Sequence, residues 1–271
     1  MFMDALGFQV ANVAPTVSAL TESVGEDGPS FSRNLLTGAS DQDGDGIAVA
    51  NLDTALDTTG LRHLTLGTDY TFTGSTLALT ATGFAKFNNL AQGTSDTAVF
   101  DFDVKDFLSA ITHDTLTVTI NGLNDAPVAN ADVGSAGENE AKFFDVLAND
   151  TDVDLGDTKA LSSLTSVTVT SGNPQVNGIA AAGAFTIEGN QIKFTPGPLF
   201  DHLAVGDTAS VVVNYTMQDN NGAPASSHLT LTVTGANDAP IIVSGGSGDA
   251  ATYFVRVNER EITTVASTDV D

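Results

Sequence analysis

What most constrains this chain is that it repeats. The segment TVTINGLNDAPVAN around Asn124 returns as LTVTGANDAPIIV around Asn237, and a shorter copy, QVANVAPTV, surrounds Asn12, at spacings of 112 and 113 residues. In the two full copies an alternating segment runs into a turn-forming Asn-Asp-Ala-Pro. Leu116, Val118 and Ile120 share one face while Thr115, Thr117 and Thr119 share the other, and Leu229, Leu231 and Val233 alternate with threonines in the same way. That is the period of a β-strand buried on one side.

The likeness continues inside the period. Counting forward from each proline gives Glu26, Glu138 and Glu259, then Asp41 with Asp43, Asp152 with Asp154, and Asp269 with Asp271. Late in the unit, an alternating strand from Phe100 to Val104 runs into Asp106, as the strand from Val211 to Met217 runs into Asp219. The expected organisation is therefore a tail of a preceding unit or linker over residues 1–11, complete units over 12–126 and 127–239, and the start of a third over 240–271. A piece that short cannot bury its own core, so the chain reads as a window on a longer array.

Within each unit the alternating segments are short and rich in Thr and Val, with turn signals such as Gly74-Ser75 and Glu188-Gly189-Asn190. The expected fold is all-β, a tandem of antiparallel β-sandwiches. One helical turn is expected at Pro198–Leu203, with Leu199 and Leu203 on a common face, and a counterpart at Phe84–Leu90.

Composition narrows the function. With 34 acidic against 9 basic residues the formal charge is −25, and no cluster of Lys or Arg is present to neutralise phosphates. Nucleic acid and anionic membrane surfaces are disfavoured as partners. No apolar run approaches the ~20 residues that span a bilayer, and MFMDALGFQV lacks the layout of a Sec signal. Cysteine is absent, which removes disulfides, thiolate metal sites and thiol catalysis. The histidines His63, His113, His202 and His228 are scattered, and no nucleophile, base and orienter can be assembled from this sequence. The chain is read as a non-enzyme.

The acidic residues need compensation. Two carboxylates about 4 Å apart repel by roughly 4 kcal/mol at an effective dielectric of about 20. Calcium answers this, because it takes carboxylate, Asn amide and backbone oxygens in adaptable geometry. Asn124-Asp125, Asp152 with Asp154, and Asn237-Asp238 supply that mixture beside Gly or Pro. Magnesium demands a stricter octahedron, and zinc would want His or Cys at ligand spacing. Asp41-Gln42-Asp43-Gly44-Asp45-Gly46 matches the first half of an EF-hand loop, but Leu52 stands where the bidentate Glu belongs. Calcium at Asp41, Asp43 and Asp45 is thus expected without an EF-hand. The competing reading is that Asn and Asp here only initiate turns; it explains one cluster and leaves the recurrence in register unexplained.

These residues resemble the VCBS repeats and cadherin-like domains of large bacterial surface and RTX-type adhesins. The motifs are TVTINGLNDAP and LTVTGANDAP, LFDHLAVGDT followed by VVVNYTMQDNNG, and VNEREITTVASTDVD. The first two units look like VCBS repeats, and the third resembles the opening of a cadherin-like repeat. The resemblance implies calcium at each junction, bound by Glu26, Asn124, Asp125, Asp152, Asp154 and Asp219 at the first and by Glu138, Asn237, Asp238, Asp269 and Asp271 at the second. Asp41, Asp43 and Asp106 would face a preceding neighbour through Asn12-Val13-Ala14-Pro15, a linker that lacks the Asp. It further implies a calcium-rigidified extracellular spacer of a bacterial adhesin, exported by a type I system, with neighbouring repeats of the parent chain as its first partners. A module binding cell-surface glycans or proteins is the alternative. Composition weighs against a sugar platform: there is no Trp, and the tyrosines are Tyr70, Tyr215 and Tyr253.

Overall fold

The computed structural model describes residues 11–28, 30–52, 56–57, 62–242 and 267–271. Glu259, and most of the expected third unit, lie outside them. Two compact units emerge: unit 1 comprises residues 1–125 with 153–157, and unit 2 comprises 126–152 with 158–271.

In unit 1 the strands are β1 (Leu20–Gly25), β2 (Phe31–Asn34), β3 (Ile47–Ala50), β4 (Leu56–Asp57), β5 (Tyr70–Thr73), β6 (Thr76–Leu79), β7 (Ser95–Asp106) and β8 (Ile111–Asn121). One sheet runs β1-β8-β7-β3 with β4 also on β7, and the other runs β2-β6-β5. Strict alternation explains the packing. Strand β7 turns Ala98, Phe100, Phe102 and Val104 inward, and β8 turns Leu116, Val118 and Ile120 inward, each fully buried. Against them lie Phe31, Tyr70, Leu77 and Leu79 of the second sheet, with Tyr70 edge-on to Phe100 at 5.0 Å. Each such side chain contributes ~1.5–3 kcal/mol by leaving water.

Unit 2 repeats the plan with β9 (Asp132–Gly137), β10 (Lys142–Phe144), β11 (Lys159–Ser171), β12 (Phe185–Glu188), β13 (Gln191–Phe194), β14 (Thr208–Asp219) and β15 (Pro224–Thr234). Its sheets run β11-β14-β15-β9 and β10-β13-β12. Val211, Val213 and Tyr215 of β14 meet Leu229, Leu231 and Val233 of β15 and a second-sheet cluster of Phe185, Ile192 and Phe194. A short pair, β16 (Ile241–Ile242) with β17 (Ser267–Thr268), follows.

The sandwich is antiparallel except at one edge of each unit, where β1 pairs with β8, and β9 with β15, in parallel. The cause lies in the entering chain. It bridges the loop after the second strand first (Thr16 to Ser40, and Val128 to Thr151) and then crosses to the opposite sheet. In unit 1 this path seats Asn12 and Val13 beside the Asp41–Asp45 loop.

Both turn signals close hairpins. Gly74-Ser75 joins β5 to β6, and Gly189-Asn190 joins β12 to β13 with φ of 58° and 64°, the left-handed pair of a type I′ turn. The helical turns differ from expectation. In unit 1 the helix α1 is Ala81–Ala85, capped by Thr80, whose hydroxyl accepts from Gly83 N at 3.1 Å. It starts ahead of Phe84 because the cap, and not the apolar spacing, sets its beginning. In unit 2 a 3-10 turn spans Gly197–Leu199, and Phe200 and Leu203 are the fully buried residues. Gly197, at φ 54°, keeps the segment from a regular helix, yet Leu199 is half-buried and packs against the same core as Leu203.

Candidate metal centre

One arrangement recurs around the linkers. A buried glutamate accepts backbone N–H groups from the closing linker: Glu26 Oε1 from Leu123 at 2.8 Å, and Glu138 Oε1 from Ala236 at 2.6 Å. The second Asp of each Asp-x-Asp pair accepts from the residue after the linker Asn. Val13 N donates to Asp43 Oδ2 at 3.0 Å, Asp125 N to Asp154 Oδ2 at 2.9 Å, and Asp238 N to Asp271 Oδ2 at 3.4 Å. The linker amide turns back on its own strand, Asn124 Nδ2 to the Asp125 carbonyl at 3.0 Å and Asn237 Nδ2 to the Asp238 carbonyl at 2.8 Å. The late acids are anchored alike: Asp106 Oδ1 accepts from Ala110, and Asp219 Oδ1 from Ala223, both at 2.9 Å.

In unit 1 two groups of carboxylates converge, each with its oxygens within 4.8 Å of one another: Glu26 with Asp125 and Asp154, and Asp41 with Asp43 and Asp45. Asp154 belongs here because residues 153–157 are part of unit 1. Asp106 joins the second group indirectly, since Asn12 donates to its Oδ2 at 3.0 Å while the next residue, Val13, holds Asp43. In unit 2 the carboxylates of Asp152 and Asp219 lie within 4.8 Å of each other. Glu138, Asp238 and Asp271 form a looser copy that does not close to that distance, and Asp269 is held by Asp271.

The electrostatics show the strain of crowding. Burial pushes both Glu26 and Glu138 above the usual carboxylate range; Asp154 and Asp27 add to it at the first, and Asp238, Asp201 and Asp271 at the second. In each exposed pair one carboxyl rises and its partner falls through the hydrogen bond between them, Asp41 above Asp43 and Asp269 above Asp271. Several oxygens aimed into these clusters, Asp41 Oδ2, Asp45 Oδ2, Glu138 Oε2 and Asp238 Oδ2, are buried without a hydrogen-bond donor. Orphaned carboxylate oxygens in a set made only of oxygen donors fit a hard divalent cation. Glu26, Asp125 and Asp154, and separately Asp41, Asp43 and Asp45, are the residues that would hold it.

Two contributors escape the sequence reading. Asn88 donates to Asp125 Oδ2 at 3.3 Å, and its counterpart Asp201 adds negative charge at Glu138; the phrases FNNL and FDHL at equivalent places were the available signal. The glycine before each linker is the other. A Cβ at Gly122 would collide with the Leu90 and Ala91 carbonyls, and one at Gly235 with those of Leu203 and Ala204. Only glycine lets the linker approach closely enough to reach the buried glutamate.

Residues 124–235 match the bacterial cadherin-like domain. No curated protein matches the chain. Among solved structures, human CDH23 EC21-23 is 17% identical over 96% of this chain and 81% of its own, with a TM-score of 0.53. Protocadherin gammaB7 EC3-6 is 18% identical over 96% of this chain and 57% of its own, with a TM-score of 0.50. At such identity the likeness is one of fold: the chain is built from cadherin-like β-sandwiches.

Proposed function

We propose that this chain is a calcium-binding spacer in an extracellular bacterial adhesin, non-catalytic and stiffened by the ions it holds. The observation that carries the reading is the recurrence of one hydrogen-bonding scaffold around crowded carboxylates at each linker, with donorless buried oxygens on Asp41, Asp45, Glu138 and Asp238. A turn needs its Asn and Asp, but it does not need a buried glutamate and a second acidic pair in register with them. Cadherin-like domains are extracellular, non-catalytic modules that typically bind calcium, which supports the assignment. Among the described residues no helix is long and apolar enough to cross a membrane.

When bound, calcium supplies positive charge that cancels the repulsion and accepts several oxygens at once. The chain does the rest. Glu26 ties the linker to β1, and Asp154 ties residues 153–157, which the sequence assigns to the next repeat, into unit 1. An ion shared by Glu26, Asp125 and Asp154 would hold the linker and residues 153–157 on unit 1. Export by a type I system, and attachment of neighbouring repeats on either side, complete the reading. Sugar stacking is the weaker alternative, since Tyr70 and Tyr215 are both buried.

Small-angle scattering with and without calcium tests the spacer role. The ion is expected to narrow the distribution of interatomic distances; superimposable curves would remove the proposal.

A further inference from the structure

Unit 2 carries a polar corner that the calcium scaffold does not use. Tyr215 on β14 is fully buried, and its hydroxyl contacts three oxygens that carry no proton of their own when Asp132 is ionised, Asp132 Oδ2 at 2.9 Å, the Val146 carbonyl at 3.1 Å and the Asn130 carbonyl at 3.3 Å, with the Ser227 hydroxyl as a further neighbour able to donate to it. A phenol has one proton to give, and carbonyls have none. With Asp132 ionised, Tyr215 satisfies one of the three and faces the others lone pair to lone pair. A proton on Asp132 reduces the mismatch to one carbonyl, since the acid then donates to Tyr215 Oη and frees the phenol to donate to the other carbonyl.

The surroundings favour that proton. Asp150 and Asp145, from the loop after β10, place negative charge on Asp132, and the cationisable side chain opposing them is His228 of β15. Asp150 is 4% exposed, with Oδ1 accepting from Asn130 N at 2.6 Å and Oδ2 buried without a donor. Burial is the largest influence and, with the two aspartates, raises Asp132 against the pull of Tyr215 and His228. Tyr215 is itself pushed upward by burial and by Asp132, so it stays a hydroxyl. At the places of Asp132, Asp150 and Tyr215 unit 1 has Leu20, Ala39 and Phe102, so the pair is absent there, although a buried carboxyl, Asp114, stands opposite Phe102 where unit 2 has Ser227 opposite Tyr215.

We propose that Asp132 and Tyr215 form a proton-holding lock, in which Asp132 keeps its proton in the folded unit and acidification tightens unit 2 through a pair that unit 1 lacks. The sign follows from linkage. An acid whose folded form holds its proton more firmly adds stability as pH falls through its folded pKa, and that gain is lost as pH rises again.

A carboxyl-carbon NMR titration of the full chain in calcium-free buffer, with the Asp132 signal assigned by through-bond correlations in the unmodified chain, tests this. The Asp132 midpoint is expected above that of an ordinary aspartate; a midpoint at or below it overturns the proposal. As a second readout, the melting temperature of unit 2 in the unmodified chain is expected to rise from about pH 7 to about pH 5 by more than it does in Asp132→Asn. Equal shifts in the two proteins overturn it as well. The NMR arm stands even where the variant folds poorly, and neither arm depends on calcium being the physiological ion.

Discussion

At the register position where unit 1 places Leu20 opposite Leu116, unit 2 places Asp132 opposite Leu229, and where β7 buries Phe102, β14 buries Tyr215. Around the linkers the opposite holds. Glu26 and Glu138, Asp43 and Asp271, Asp106 and Asp219 each keep one equivalent backbone donor, while Glu26 alone gains a second from Leu90 N at 3.2 Å. The comparison separates two kinds of constraint. A core corner needs only its volume filled and its polar atoms satisfied, so an apolar and a polar solution both serve. On the proposed reading, oxygens that ligate a cation must stand at particular places, which accounts for a scaffold that repeats.

Breaking the cores gives the largest expected effect. Phe100→Ala in unit 1 and Phe194→Ala in unit 2 each remove a fully buried ring and are expected to cost ~3–5 kcal/mol. In scanning calorimetry each is expected to lower the transition of its own unit and leave the other; a shift of both by the same amount would show that the units unfold as one.

Calcium comes next. At a hundredfold excess over its dissociation constant the ion adds ~2.7 kcal/mol per site, so chelation is expected to lower the melting temperature. Glu26→Gln is expected to remove the part of that loss owed to the Glu26, Asp125 and Asp154 group and to leave the part owed to Asp41, Asp43 and Asp45. Glu138→Gln in the looser copy is expected to remove less.

The glycines sharpen the comparison further. Gly122→Ala and Gly235→Ala force a Cβ against backbone carbonyls and are expected to cost ~1–3 kcal/mol each, with weakened calcium binding at the same linker. Unchanged affinity, by titration calorimetry, would mean that the close approach of the linker does not position the glutamate. The smallest effect is a gain. Val13→Asp restores to the first linker the acid that the others carry and is expected to tighten calcium binding at Asp41 and Asp43 by a few fold, because added ligand charge raises affinity.

The sequence disclosed what depends on local alternation. Thr115, Thr117 and Thr119 outside, with Leu116, Val118 and Ile120 inside, describe β8 as it stands. The acidic recurrence likewise marked Glu26, Asp125 and Asp154 before any coordinates brought them together. What stayed hidden depends on contacts across the sandwich. The parallel pairing of β1 with β8 comes from a crossover that no strand pattern encodes. The need for Gly122 lies in two carbonyls some thirty residues earlier in the chain and is visible only in the fold. Tyr215 alternated correctly as an inward residue, but its polar partners arrive from a strand and a loop more than sixty residues away. Asp41 and Asp45 were legible as a cluster because their neighbours are adjacent in sequence, whereas the contribution of Asn88 at Asp125 needed the tertiary structure.

The central claim is that the crowded oxygens of Glu26, Asp125 and Asp154 are a cation's ligands. Calorimetric titration of calcium into the metal-free chain tests it most directly, compared with a Glu26→Gln, Asp154→Ala variant. Saturable binding in the ~10⁻⁴ to 10⁻³ M range of extracellular modules, with at least one ion lost in the variant, is the expected result. Heats no larger than dilution, or the same stoichiometry and affinity in both proteins, would contradict it.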